Sequence, residues 1–444
     1  MLALVRVESQ PWFLALSGLD MRRTKLVSNA LLFVAAALIL YAALAVPASA
    51  ADITVGAHGQ FKTIQQAVDA ATPGDTVSVA PGTYAENVVV NKPLTITAAS
   101  ARPTVMVADP SKDVFLLSSP SVRIDGLTIA GGASGVQIQN ASKCVVTNII
   151  ARDNVRAVYL SHSTDNEISN CNLADNGYGV YGDSSSNNTV SSNVATGEKG
   201  NGIALGDGIF FNHGDGNTVT GNTLGSNNAF GISCYASSNN KISDNRITDN
   251  VRIGVRFGPG ADNNALFFNT ISNNGNGPSS GALASSFPAC GILAIGSNNR
   301  IYENTFINQP NAIIGASTAI LNSPEKMVYT YNGVEQTGYM SNYYSDYKGT
   351  DANGTGIGSP PSAYGDKYPL VRPIGQYGVI QLASVTASPR VGLTNESANA
   401  VGQGEPGREG GAVLDGPAVP ILIVLSAIVV AAIVVFKWAP KRET

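Results

Sequence analysis

Gly231-Ile232-Ser233-Cys234-Tyr235-Ala236-Ser237-Ser238-Asn239-Asn240-Lys241-Ile242-Ser243-Asp244-Asn245-Arg246-Ile247-Thr248-Asp249-Asn250 is one unit of a repeat running from Ser134 to Asn311. Aligned on a leading glycine or alanine, the units start at Gly135, Ala157, Gly179, Gly208, Gly231, Gly254, Gly291 and Ala312. Most spacings are 21 to 23 residues; the exceptions, 29 and 37, read as insertions at 197–207 and 275–290. Self-similarity at this period marks a solenoid of stacked coils.

Three apolar columns recur. The first holds Val136, Val158, Val180, Ile209, Ile232, Val255 and Ile292. The second holds Val145, Ile168, Val190, Val219, Ile242, Leu266 and Ile301, and the third Ile150, Leu173, Ala195, Leu224, Ile247, Ile271 and Phe306. Each apolar residue sits in a short stretch with polar neighbours, which suits strands that show alternate faces and is too brief for helix. The pattern predicts an all-β, right-handed parallel β-helix of about ten coils, roughly 50 Å long at about 4.8 Å per coil. Asparagine supplies the corners. One column reads Asn148, Asn193, Asn222, Asn245, Asn269 and Asn304, broken by Cys171; another reads Asn166, Asn188, Asn217, Asn240, Asn264 and Asn299. A third marks turns at Asp153-Asn154, Asp175-Asn176, Asn227-Asn228, Asp249-Asn250 and Asn273-Asn274. Asn tolerates left-handed backbone and its amide both donates and accepts, so stacked amides can bond from coil to coil. A sugar-binding surface is the functional reading of these columns, and corner chemistry the structural one, which is preferred.

The flanks give the domain order. Residues 1–50 read as a secretion signal: Met21-Arg22-Arg23-Thr24-Lys25, an apolar run from Leu31 to Val46, then Ala48-Ser49-Ala50. Met21 is the expected start, and an uncleaved anchor is the alternative. Residues 51–133 form a cap and first coils, in which Phe61, Ile64, Ala67, Val68 and Ala71 follow helical spacing before Pro73-Gly74-Asp75. The Asn/Gly repeat occupies 134–322, an aromatic closing segment 323–375 and a flexible stalk 376–416. The stretch 417–444 carries an apolar run, Ala418 to Phe436, before Lys437, Lys441 and Arg442. It is expected to cross a membrane with its tail in the cytoplasm, leaving the repeats outside the cell.

A net charge of −4 without a basic stripe argues against a nucleic-acid partner. The four cysteines do not form a framework: Cys234 falls in a core column, Cys171 replaces a ladder asparagine, Cys144 is expected on the outer face and Cys290 in an insertion. No His/Cys pair has zinc spacing. Asn140, Asn187, Asn353 and Asn395 head Asn-X-Ser/Thr sequons and are candidate glycosylation sites.

Two stretches carry a family resemblance. "FKTIQQAVDAATPGDTVSVAPGTYAENVVV" resembles the opening coil of pectin-esterase-like β-helix proteins. The closing stretch runs from Asn342-Tyr343-Tyr344-Ser345-Asp346-Tyr347 through Gly349-Thr350-Asp351-Ala352-Asn353-Gly354-Thr355-Gly356-Ile357-Gly358 to Tyr368-Pro369-Leu370. It looks like the end of NosD-type surface proteins, also described as carbohydrate-binding and sugar-hydrolase repeat domains of the pectin-lyase-like superfamily. The resemblance spans about Asp52 to Pro373 and implies a β-helix fold. The family name is tied to copper delivery, but Met106, Met327 and Met340 are scattered.

Site candidates follow. Asp351, Asn353 and Thr355 resemble a calcium loop, although Thr355 and Ser359 stand where the family has acids; a plain Gly/Asn turn is the competing reading. Ca²⁺ is the one cofactor this brings into question. Asp207, His213 and Asp215, beside Glu198 and Lys199, form the densest catalytic candidate, against a turn reading of Asn212-His213-Gly214-Asp215-Gly216. The Asp-Pro-His-Asp motif of alginate epimerases is absent. Arg156, Arg252 and Arg256 are read as a basic stripe for acidic sugars or, preferably, as solvated turn charges. The leading function is a membrane-anchored cell-surface protein that binds polysaccharide or serves an adhesive or structural role among envelope proteins. A polysaccharide lyase, epimerase or hydrolase is the alternative, and a periplasmic copper-handling accessory protein the third. Fold alone does not choose among them.

Overall fold

The computed structural model describes residues 50–200, 205–277, 286–315, 318–378 and the strand 381–382. The signal region before Ala50, Asn395, most of the stalk and the apolar run at 418–436 lie outside the described residues. Among those described, no helix is long and apolar enough to cross a membrane.

The chain winds as a right-handed parallel β-solenoid of about 11 turns, one more than the repeat count suggests. Sheet 1 has 11 strands, from Asp52–Val55 to Arg300–Tyr302. Sheet 3 has ten, from Val88–Val90 to Ala312–Ile314. Sheet 2 comes in runs of four and six strands, because at Asn172 only single bridges to Ile150 and Val194 join its halves. Register follows the first apolar column: Val180 pairs Ile209, then Ile232, Val255 and Ile292. These residues are fully buried, so every coil adds apolar side chains to one continuous core.

The leading glycines are set by space rather than by backbone freedom. A Cβ on Gly231 would meet Ile247 Cγ2 and lie 2.7 Å from the Gly254 carbonyl oxygen. At most coils this column leaves no room for a Cβ, and Ala157 and Ala312 are the largest residues it holds.

Corners use two adjacent residues with different roles. Asp165, Asn187, Asn239, Asn263 and Asn298 take left-handed angles, with φ between 56° and 60°. The next residues, Asn166, Asn188, Asn240, Asn264 and Asn299, turn inward and are buried. At most of these steps the main-chain N–H and the side-chain Nδ2 both donate to the amide oxygen one coil on. From Asn222 to Asn245 these distances are 2.9 and 2.9 Å, and from Asn245 to Asn269 they are 3.0 and 3.0 Å. The asparagine columns are thus corner ladders rather than a binding surface.

The ladder corrects part of the sequence register. Val146 pairs Ile168 and faces the core, not Val145; in sheet 2, Ala151 pairs Ile129 and is the buried residue, not Ile150. Asn148, with φ of 53°, is a left-handed corner, and Ile149 is the buried residue behind it. Cys144 is buried, not on the outer face: it occupies a ladder position, and its N–H donates to Asn166 Oδ1 at 2.9 Å. The slip arises because Cys144 and Ile149 stand where later coils carry the asparagines that mark the register. All four cysteines are free and buried; Cys290 opens the strand Cys290–Ala294 instead of lying within the insertion.

Both ends of the coil stack are covered. Helix Ile64–Ala70, capped by Thr63, lies over the first coil, and the Glu86 carboxylate accepts from the N–H groups of Ile64 and Gln65. The Gln65 amide accepts from Val89 N–H at 2.7 Å and so satisfies the free edge of sheet 3. At the far end Asn342 continues the ladder, and its N–H donates to the Asp366 carboxylate.

Asn245→Ala removes the acceptor of two buried donors and is expected to cost about 2–3 kcal/mol in urea unfolding. Asn239→Gly, at an exposed left-handed corner, is expected to stay within about 0.5 kcal/mol of the parent. Equal costs would contradict this division of roles.

Candidate functional site

Residues that point away from the core on sheet 3 line up coil by coil. One outward row reads Gln137, Tyr159, Tyr181, Phe210, Ser233, Arg256 and Leu293. Tyr159 stacks on Tyr181 at 5.2 Å and Tyr181 on Phe210 at 5.2 Å, both with rings 9° apart. All three are half-buried, and Tyr159 and Tyr181 add phenol hydroxyls to the row. The Arg156 guanidinium lies 4.6 Å from the Tyr159 ring centre, and Tyr178 stacks beside Tyr181. Asp183 accepts from the Asn212 amide at 2.7 Å along the next outward row. Burial pushes the Tyr181 hydroxyl up to about 12, so it stays protonated and able to donate.

The described ends of two insertions meet this face. Both insertions leave the chain at the corner that enters sheet 3, one between Glu198 and Asp207, the other between Asn274 and Cys290. Leu205 of the first and Phe287 of the second pack on Phe230, Ile253, Cys290 and Leu293, the outward side chains of the later coils. Arg256 sits among Phe230, Tyr235 and Phe287 rings at 5.3 to 5.8 Å and donates to Ser233 Oγ. Arg252 is buried, with its guanidinium donating to the Phe287 carbonyl. These arginines are packed side chains rather than solvated turn charges.

The sequence candidates do not converge. Asp207 precedes the strand Ile209–Asn212, while His213 and Asp215 follow it on an exposed corner. His213 has φ of 52° and meets Tyr235 edge-on; Asp215 accepts from Ser238 N–H. Asp207 is fully buried: Oδ1 accepts from Phe230 N–H, and Oδ2 has no partner among the described residues. Burial pushes its carboxyl up to about 8, against the opposing pull of that N–H and of Arg256. Glu198 is no groove residue, because it occupies a corner-ladder position. Its Oε2 accepts from Asn176 N–H, its own N–H donates to Asn227 Oδ1, and Oε1 is buried without a partner. Burial pushes this carboxyl up to about 9, so it is neutral at pH 7.

In the closing segment, the Asp351 carboxylate accepts from the N–H groups of Thr355 and Gly356 at 2.9 and 2.8 Å, closing its own turn. Thr355 Oγ1 accepts from Ile357 N–H, and Asn353 is exposed. Asn140 and Asn187 are exposed corner residues. Sequence reasoning passed over the Tyr159–Tyr181–Phe210 row. Its signal was available, since these are the polar-side neighbours of the first apolar column, but only strand register shows them as one row.

A right-handed β-solenoid with one aromatic outer face is the class that this geometry defines. The profile of the family described as periplasmic copper-binding protein (NosD) matches residues 94–349. The chain belongs to that family. A cell surface glycoprotein of Methanothermus fervidus is 33% identical over 90 residues, 20% of this chain; the match covers 15% of that protein's own length. Among solved structures, an alginate lyase from Paenibacillus sp. overlaps 61% of this chain and 99% of its own, with 16% identity and a TM-score of 0.49. The pectate lyase Pel9A overlaps 61% of this chain and 78% of its own, with 14% identity and a TM-score of 0.48.

The family description raises copper, and the donors here do not fit a copper centre. His58, His162 and His213 are exposed on separate turns, and Met106 is exposed on a strand far from the buried Met327 and Met340. Burial pushes the thiols of Cys171, Cys234 and Cys290 up to about 12, which disfavours the thiolate. Among the described residues no three His, Cys, Asp or Glu side chains converge.

The buried acids make stability depend on pH. Glu198, Asp207 and Glu303 have folded pKa values raised to about 9, 8 and 8 by burial. Their contribution is therefore fully present below the ordinary carboxylate range and is lost as pH rises toward 8 to 9. Unfolding midpoints should fall between pH 5 and about 9, and Glu198→Gln, which restores an amide to the ladder, should flatten that slope. A parent and variant with parallel pH profiles would show that Glu198 is charged in the fold.

Proposed function

We propose that the chain is an extracytoplasmic, envelope-anchored protein that holds a polysaccharide along the outer face of sheet 3. The observation that carries this reading is the row Tyr159–Tyr181–Phe210, flanked by Arg156 on one side and the Asp183–Asn212 pair on the other. Half-buried rings, phenol hydroxyls, a guanidinium and an amide–carboxylate pair give apolar contact and hydrogen bonds of both kinds, which is what sugar rings and hydroxyls need. The repeat along the row suits a polymer better than a small ligand. The signal-like start, the apolar run at 418–436 and the likeness to a protein named as a cell surface glycoprotein support the location. Binding is preferred to hydrolysis, because glycoside cleavage needs two carboxyl groups facing one bond. Here Asp207 is sealed, and Asp183, paired with the Asn212 amide on the neighbouring row, has no second carboxylate on that row among the described residues.

A glycan array probed with residues 51–382, and assayed for both retention and cleavage, tests the reading. Tyr181→Ala should weaken the retained glycan roughly tenfold, about 1.4 kcal/mol, without moving the unfolding curve far. An array with no retained glycan overturns the proposal, and product release would replace it with the enzyme reading.

A further inference from the structure

Most asparagines of the repeat are spoken for. In the ladders the side-chain nitrogen is buried and donates to the next coil, as Asn166 Nδ2 does to Asn188 Oδ1 at 3.0 Å and Asn188 Nδ2 to Asn217 Oδ1 at 3.1 Å. Asn140 and Asn187 differ. Both are exposed, both take left-handed angles (φ of 51° and 57°), and both tie only their main-chain N–H to the next coil, at 3.0 and 3.0 Å. Among the described residues, neither side-chain amide nitrogen is engaged by a hydrogen bond. They also head the sequons Asn140-Ala141-Ser142 and Asn187-Asn188-Thr189. They lie at the two ends of the turn from sheet 3 into sheet 1, Asn140 in the column of His162 and Asn187 in that of Asp165, two coils and therefore about 10 Å apart along the axis.

We propose that Asn140 and Asn187 are N-glycosylated from a phosphate-activated, lipid-linked sugar, so that two glycans stand on the turns from sheet 3 into sheet 1, beside the aromatic row. In the transfer, Nδ2 attacks the anomeric carbon of the sugar. The N–C bond forms, the carbon–oxygen bond to phosphate breaks, the lipid phosphate leaves with the bonding pair, and the amide gives up one proton. Asn188, one residue on, is buried and heads no Asn-X-Ser/Thr sequon. The inference rests on the extracytoplasmic location proposed above and not on the glycan-binding face.

The test is peptide mass mapping of the full chain recovered from its native cells, with surface proteolysis of intact cells as a parallel arm. Expected are peptides carrying Asn140 and Asn187 heavier by whole sugar residues. The Asn187 adduct should be absent from both Asn187→Gln and Thr189→Ala, while that at Asn140 is unchanged. Unmodified peptides in protein that surface protease reaches overturn the glycosylation alone. Protein that the protease cannot reach overturns the location and this inference together.

Discussion

A strand of three residues cannot hold itself, and most strands of sheets 1 and 2 are no longer than that. The interaction that makes such strands stable is the corner amide that binds the coil before it through both a main-chain and a side-chain donor. At most ladder steps one Oδ1 takes both donors, and the amide's own nitrogen passes the pattern on; at a few, such as Asn217 to Asn240, only the main-chain N–H does. Corner and ladder are separate tasks given to neighbouring residues. The left-handed residue makes the bend and can be Asp, Asn, Ser, Gly or even Phe268; the buried one extends the ladder in full only where it offers both a donor and an acceptor at one reach. Glutamate at 198 meets that demand only when protonated, which ties the chemistry of one side chain to the order of a whole coil.

Because register passes from corner to corner, the chain tolerates long excursions wherever the ladder closes behind them. The ladder runs unbroken past both insertions: Asn188 bonds Asn217, and Asn264 bonds Asn299 at 3.0 Å. Both insertions leave the chain at the same corner, and their described ends, Leu205 and Phe287, pack on the outer side of sheet 3, where the solenoid departs from its own repeat.

This explains what was legible in the sequence. The fold class was readable because glycine, apolar and asparagine columns report independent constraints with the same period. The register failed at Val145, Ile150 and Cys144, where the early coils place Cys144 and Ile149 at the ladder position; Cys144 joins the ladder only through its main-chain N–H to Asn166 Oδ1, and Ile149 is packed into the core. The site was less legible, for a physical reason. Outward residues are free of the packing that makes inward columns uniform, so Tyr181, Phe210, Ser233 and Arg256 share a row without sharing a residue type. Asp207, His213 and Asp215 are near neighbours in sequence, yet a strand lies between the first and the other two.

The two ends of the coil stack meet the same demand with different groups. An open solenoid presents strand edges and unfinished ladders, both of which invite pairing with other chains. At the start no asparagine precedes, so a side-chain amide from a helix, Gln65, imitates the missing strand against Val89. At the finish the ladder ends on a carboxylate, Asp366, which accepts from Asn342 and has no amide to pass the pattern further. Burial raises the Asp366 carboxyl to about 6, but the N–H groups of Tyr368 and Asn342 pull the other way, and at neutral pH it remains an acceptor. A pure acceptor is the group that stops a chain of donor–acceptor amides. The closing segment thus belongs to the mechanics of the fold as a terminator.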